Sequence, residues 1–276
     1  MTREAGALII SYRRAGRVRT IRLLQHIKWT GPTYVVVSSD DEQLSQYQKL
    51  YTNLYVFDRS RVVCDYYDNM PPSGPLAVRN IAWDIAADLG WTHFVVLDDD
   101  YSYLEVYLAW ARLYPSIVKN EGGVIHRVPP GWGDRLFHTM WDLLDEVPRI
   151  LCVSFSQTGD MTTKIKRKVM QTFFLRTDRR FEFVARFNDD VTTYYDLGLR
   201  GDIVLQIPAL HIKQKSTQHQ PGGLTEEYLR HGTYAKSMYT VLRWPAHCRV
   251  EYSKTIGRVH HRISPYAYPV IMKDTR

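Results

Sequence analysis

The sequence predicts an α/β fold: a mixed, mostly parallel sheet flanked by helices in a single domain. Two observations lead there. Over the first 100 residues short β-rich runs alternate with helical patterns, as βαβ units do. The run Phe94-Val95-Val96-Leu97 is short, continuously apolar and β-branched at its centre, which suits a strand buried on both faces.

Each element follows from local pattern. Residues 7–11, 34–39 and 54–57 read as the first three strands, with a basic helix over 17–28 between the first two. Residues 70–75 hold Pro71, Pro72, Gly74 and Pro75 and read as a loop. Ala77, Ile81, Ala82, Ile85, Ala86 and Leu89 then recur at helical spacing, and Gly90 stands where a left-handed cap ends the helix. Beyond the strand at 94–97, residues 122–125, 150–154 and 172–175 read as strands, with a loop at 129–133. A helix opens at 187–190 and runs to Leu197, Gly201 stops it, and 203–208 is a further strand. Residues 209–223 read as a polar loop with two histidines. No internal repeat or linker divides the chain.

At 276 residues with 45% hydrophobic content, the chain can bury one substantial core. No stretch approaches the roughly 18–20 apolar residues of a membrane span, so the expectation is a soluble, cytoplasmic protein with no membrane contact. Cys64, Cys152 and Cys248 lie far apart and form neither a disulfide framework nor a cysteine zinc pattern. The net charge of +7 favours anionic partners, either a nucleotide diphosphate or nucleic acid. The basic residues cluster at 164–168 and at Arg176, Arg179 and Arg180.

The strand ending at Leu97 runs directly into Asp98-Asp99-Asp100. Three adjacent carboxylates at the end of a buried strand repel one another and are costly unless a cation or solvent compensates them. In open α/β sheets the carboxyl ends of strands are where ligands bind. Asp98 and Asp100, in Asp-x-Asp spacing, can offer oxygens to Mn²⁺ or Mg²⁺, hard ions that also coordinate a diphosphate. The competing reading is an acidic turn that caps the next helix.

The run from Gly74 to Asp100, with Arg79-Asn80 on a helix and a strand ending in three aspartates, resembles GT-A glycosyltransferases. That resemblance implies Arg79 and Asn80 near a nucleotide sugar, Asp98 and Asp99 in the donor site, and Asp100 as principal metal ligand. Asn188-Asp189-Asp190-Val191 resembles the acidic segment that carries the catalytic base in inverting members, with Asp189 where glutamate is usual; the base is therefore Asp190 or Asp189, with Asp190 preferred. More narrowly, Leu97 to Tyr101, Asn188 to Asp190, the loop leading to Gly222-Gly223-Leu224, and Gly257-Arg258-Val259-His260-His261 together resemble the TET-associated glycosyltransferase family over nearly the whole chain. Members occur in bacteriophages and as a domain of some animal nuclear proteins. The family implies a UDP-sugar donor, a hydroxymethylated pyrimidine in DNA as acceptor for phage members, and no obligatory protein partner. Residues 1–105 would hold the nucleotide sugar and 106–276 the acceptor and the catalytic base.

On that reading the metal would stabilise the leaving diphosphate, and Asp190 would take the proton of an acceptor hydroxyl. Ser11, Arg13 and Arg14, after the first strand, are candidates to reach base or phosphates, and Asp40 and Asp41, after the second, to accept from uracil or ribose. Many GT-A enzymes supply a metal-binding histidine late in the chain: His211 and His219 are the candidates, His260 and His261 later options. Tyr66, Tyr67, Trp132, Trp141, Tyr194 and Tyr195 are available to stack on an extruded base, although most aromatics in such a chain are core. Three rival functions remain: transfer to a protein, glycan or small molecule, a nucleotidyltransferase, and a nucleic-acid-binding module without catalysis.

Overall fold

A computed structural model describes residues 3–62, 74–108, 124–157, 166–214, 225–254 and 257–263. Eleven strands are described: β1 (Ala5–Ile10), β2 (Thr33–Ser38), β3 (Leu54–Phe57), β4 (His93–Asp98), β5 (Tyr101–Leu108), β6 (Val124–Arg127), β7 (Ile150–Gln157), β8 (Phe173–Arg176), β9 (Ile203–Gln214), β10 (Cys248–Ser253) and β11 (Arg258–Ile263). The α-helices are α1 (Thr20–Ile27), α2 (Leu44–Leu50), α3 (Pro75–Asp88), α4 (Gly133–Glu146), α5 (Asp189–Leu199) and α6 (Thr225–Arg243).

The first nine strands form one sheet in the order β3-β2-β1-β4-β8-β7-β9-β5-β6, and β10 and β11 pair separately. β3, β2, β1 and β4 are parallel, and β8 is antiparallel to both β4 and β7. β9 runs parallel to β7, and β5 antiparallel to β9. The carboxyl ends of β1, β4, β7 and β9 therefore share one edge. The chain leaves β1 toward β2 on one side and later returns as β4 on the other, which makes the β1/β4 junction a topological switch point, where open α/β sheets bind ligands.

Strand alternation divides the core into two layers. Ala7, Ile9, Val35, Val37, Val95 and Leu97 face α1, α2 and α4, where they meet Leu23, Leu24, Ile27, Tyr47, Phe137 and Trp141. Leu8, Ile10, Val36, Phe94 and Val96 face α3 and α5, with Leu76, Trp83, Ile85, Val191, Tyr195 and Leu197. Gly90 has φ +74° after α3 and Gly201 φ +87° after α5, the left-handed geometry expected of both stops.

Three parts differ from the sequence expectation. The three aspartates lead through a turn into β5, not into a helix. α4 occupies residues between the expected loop and β7. β9 continues to Gln214 because Leu210, His211 and Ile212 pair with β5, so His211 lies in a strand and not in a polar loop. Of the segment expected as a loop at 70–75, residues 70–73 lie outside the described residues, as do residues 122–123 and His219.

Candidate active site

A cavity of about 520 Å³ opens along the shared carboxyl edge of the sheet. β1 and its loop supply Ser11, Tyr12 and Arg14, β4 and its turn supply Asp98, Asp99 and Asp100, and the ends of β7 and β9 supply Gln157 and Gln214. The second turn of α3 adds Arg79 and the start of α5 adds Asn188, Asp189 and Asp190, while Lys236 of α6 and Arg258, His260 and His261 of β11 complete the wall.

The acidic triplet is held by the loop that follows β1. Asp99 is buried and accepts from Ser11 Oγ at 2.6 Å and from Arg14 Nη1 at 2.8 Å. Ser11 Oγ also bonds Tyr47 Oη at 2.7 Å, and that phenol accepts from the Arg14 N–H at 2.9 Å. Thr20 Oγ1 donates to the Asp98 carbonyl at 2.5 Å, and its oxygen accepts from the Tyr101 N–H at 3.2 Å. Asp99 thus serves mainly to tie the β1 loop to the turn, which leaves Asp98 and Asp100 to present their carboxylates to the cavity.

Those carboxylates are poorly neutralised. Arg79 Nη2 reaches Asp98 Oδ1 at 3.3 Å and Arg14 Nη1 reaches Asp100 Oδ2 at 3.8 Å. Burial, then the neighbouring aspartates working against Arg79, push Asp98 up to about 7. Burial and then Asp99 push Asp100 up to about 6. Crowded oxygen donors of this kind fit a hard divalent cation. Among the described residues no three His, Cys, Asp or Glu side chains form a closed metal cage. Mg²⁺-like ions are commonly held by one or two carboxylates together with substrate phosphates, so Asp98 and Asp100 match an open site.

Arg79 links this motif to the second acidic pair. Its Nη1 donates to Asp189 Oδ2 at 2.5 Å, and its guanidinium lies 4.8 Å from the Phe173 ring centroid. Burial disfavours the Arg79 cation, but Asp189 and Asp98 more than offset it and raise its pKa. Burial likewise raises Asp189 against the pull of Arg79. Asp190 is only partly buried and faces the cavity, its Oδ1 accepting from the Val191 N–H at 2.7 Å.

Asn188 sets the start of α5 with φ +53° and ψ +36°, a left-handed conformation that asparagine tolerates. Its Nδ2 lies 2.9 Å from the Lys236 carbonyl, 3.3 Å from Thr240 Oγ1 and 3.1 Å from His261 Nδ1. The helix bearing Asp190 is thereby fastened to α6 and β11. Burial, then His260 and Lys236, push His261 down to about 3, and burial also lowers His260 and Lys236. His261 is therefore neutral and its Nδ1 accepts from the Asn188 amide.

Several residues singled out in the sequence lie elsewhere. Asn80 is buried and holds the Phe183 backbone, donating from Nδ2 to its carbonyl at 3.0 Å and accepting its N–H at 2.7 Å. Asp41 is buried and accepts from the Arg13 N–H, while the Arg13 guanidinium pairs with Glu42. Asp40 is exposed beside Arg59. His211 is buried, with Nδ1 2.8 Å from Glu105 Oε2, and is not part of the cavity wall. Trp141 and Tyr195 are core residues, Trp132 is exposed, and Tyr194 lines the cavity; Tyr66 and Tyr67 lie outside the described residues. The cluster at Arg176, Arg179 and Arg180 is consumed by Asp145 and Asp178, by the Leu144 carbonyl, and by Asp84 respectively.

Sequence reasoning missed Tyr12, Arg59 and Lys236, and it gave Lys168 and Arg258, which stand in segments it singled out, no place in the site. Tyr12 follows the first strand and was legible from its position; its ring lies 5.1 Å from the Arg13 and 4.9 Å from the Arg59 guanidinium. Lys236 carries no local signal, since only the packing of α6 against β11 brings it to the cavity.

Fold and site together define an α/β protein with paired acidic motifs lining a cleft of about 520 Å³ at its switch point. The chain belongs to the TET-associated glycosyltransferase family, whose model matches residues 7–223. No curated protein matches the sequence. Among solved structures, GalNAc-T7 with UDP, GalNAc and Mn²⁺ is similar at a TM-score of 0.46 and 12% identity, over 87% of this chain and 48% of that one. Mannose-1-phosphate geranyltransferase from Thermus thermophilus is similar at 0.32 and 12%, over 87% and 64%. The chain thus spans about half to two thirds of the length of these structures. Among the described residues no helix is long and apolar enough to cross a membrane.

Proposed function

We propose that the protein is a metal-dependent glycosyltransferase that moves a sugar from a UDP-sugar to the hydroxyl of a 5-hydroxymethylpyrimidine in DNA, with inversion. The observation that carries this reading is the bridging of two acidic motifs, Asp98/Asp100 and Asp189/Asp190, by Arg79 within one cavity of about 520 Å³. Family membership supports sugar transfer; donor, metal and acceptor are inferred from the chemistry of the cleft and the family resemblance.

Asp98 and Asp100 would hold the cation. When bound, Mn²⁺ or Mg²⁺ supplies Lewis-acid stabilisation of the diphosphate leaving group. Arg14 and Ser11 hold Asp99 and so fix the turn that carries both ligands. Asp190 accepts the proton of the acceptor hydroxyl as its oxygen bonds to the anomeric carbon; the bond from that carbon to the diphosphate breaks, and its electron pair leaves with UDP. Lys236 and Arg258, on the cavity wall, add positive charge to the cleft that would receive the diphosphate. Asp189, committed to Arg79, positions the first turn of α5.

The test is mass spectrometry of hydroxymethylcytosine- or hydroxymethyluracil-containing DNA after incubation with the protein, Mn²⁺ and individual UDP-sugars, beside unmodified DNA. A hexose or N-acetylhexosamine gain confined to hydroxymethylated DNA, and absent with Asp100→Ala, is expected. UDP release without DNA gaining mass would overturn the acceptor, and no UDP release with any donor would overturn the activity.

A further inference from the structure

Beside the cleft lies a second, smaller concavity of about 240 Å³ lined by Gly16, Arg17, Val18, Arg19 and Arg22. It sits on the segment that joins β1 to α1, just past Arg14 in the cleft wall. The Arg19 and Thr20 N–H groups both donate to the Asp99 carbonyl, at 2.7 and 3.3 Å, so this segment is fastened to the acidic turn and Arg19 feels the charge of Asp100.

The three arginines stand apart from others in the fold. Arg3, Arg79, Arg176 and Arg180 each face a carboxylate. Among the described residues Arg17, Arg19 and Arg22 make no side-chain hydrogen bond or ion pair, and Arg17 and Arg22 are exposed. From Ala5 to Ser39 the chain has no acidic residue. Three like charges converging on one hollow repel one another, and an anion seated between them relieves that cost. With the Arg19 and Thr20 amides spent on Asp99, the guanidinium groups and not the helix terminus define the hollow.

We propose that Arg17, Arg19 and Arg22 form a docking site for the phosphodiester backbone of a nucleic acid, which leads the acceptor strand to the adjacent cleft. The inference rests on the reading of DNA as acceptor. Geometry argues against the donor's diphosphate as the occupant: the cleft falls in the volume range of small-molecule sites and has Lys236 and Arg258 on its own wall. A polymer with a phosphate at every step is what exposed Arg17 and Arg22 with half-buried Arg19 between them match, by fork-like bonds to phosphate oxygens and release of counterions.

Unmodified duplex DNA, titrated by fluorescence anisotropy over a salt series, tests the site without requiring turnover. Arg17→Ala, Arg19→Ala and Arg22→Ala should each lower the slope of log affinity against log salt by about one, and the triple variant by about three. UDP affinity in the presence of Mn²⁺ should be unchanged in Arg17→Ala, Arg22→Ala and their double variant, with the melting temperature reporting an intact fold in all. Unchanged DNA affinity and slope in the triple variant would overturn the proposal, as would a wild-type protein that binds no duplex. An Arg17→Ala/Arg22→Ala variant that loses UDP binding would reassign the hollow to the donor, and a triple variant that loses only binding to phosphatidylserine vesicles would reassign it to a membrane surface. Failure of sugar transfer to DNA, with duplex binding and its dependence on the three arginines intact, would overturn the reading of DNA as acceptor and leave the phosphodiester site standing.

Discussion

Arg79 donates to Asp189 at 2.5 Å and to Asp98 at 3.3 Å, so one buried guanidinium spans the acidic motif of β4 and that of α5. The two motifs lie far apart in the chain, and no other described side chain is paired with both. Removing one partner of a buried ion pair costs far more than the pair contributes net, because the survivor is left desolvated and unmatched.

Arg79→Met should therefore destabilise the fold by about 3–5 kcal/mol in urea unfolding. Arg79→Lys should recover only part of that, since a single ammonium cannot copy the two-nitrogen reach of the guanidinium. Equal stability of the lysine variant and wild type would show that the two contacts do not act together.

Asp189 and Asp190 should separate by assay. Asp190→Asn removes the cavity-facing carboxylate and keeps shape, so it should lower kcat by roughly 10²–10⁴ with little change in melting temperature. Asp189→Asn leaves Arg79 without its nearest counter-charge and should show first as lost stability. Reversal of these two outcomes would make Asp189 the base.

His261 gives the α5–α6–β11 junction an acid limit. In the unfolded chain a histidine takes its proton near 6.5, whereas in the fold His261 does so only at about 3. A depressed folded value means that the unfolded state binds the extra proton between those limits. The contribution of this group is therefore full above about pH 6.5 and is lost as pH falls toward 3, by about 1 kcal/mol per pH unit. His261→Asn keeps an acceptor for Asn188 and cannot titrate, so the change in urea midpoint between about pH 7 and pH 5 should be larger in wild type than in the variant. Equal changes would refute the burial of a neutral ring.

The switch-point half of the fold was legible because its signals are local. Phe94 to Leu97 followed by three aspartates fixes both a central strand and its ligand end, and Gly90 and Gly201 mark helix stops by geometry that few other residues accept. α4 was legible too and overlooked: Phe137, Met140, Trp141 and Leu144 recur at helical spacing and are all buried. His211 misled for the opposite reason. Lys213, Gln214 and Lys215 give its surroundings a polar look, but its place is set by pairing with β5 and β7, strands too distant in the chain for any local window to contain. Lys236 belongs to the same class, as a cation brought to the cavity by packing alone. Asn80 beside Arg79 shows a third limit, since neighbours on one helix point to different partners.

The far end of β1 offers a test of the sheet that leaves the cleft alone. A Cβ on Gly6 would lie 2.3 Å from two ring carbons of Trp91, an indole that is itself only 7% exposed. Gly6 pairs with Phe94, on the opposite end of β1 from Ser11. Gly6→Ala should therefore force the indole aside and cost about 1–3 kcal/mol by overpacking. Trp91→Leu, costly alone through the cavity it leaves, should absorb the added methyl, so that the double variant is more stable than the sum of the single losses. UDP affinity should stay at the wild-type value throughout, because the strain lies a full strand length from Asp99. Additive losses in the double variant would show that the indole does not set the size limit at Gly6.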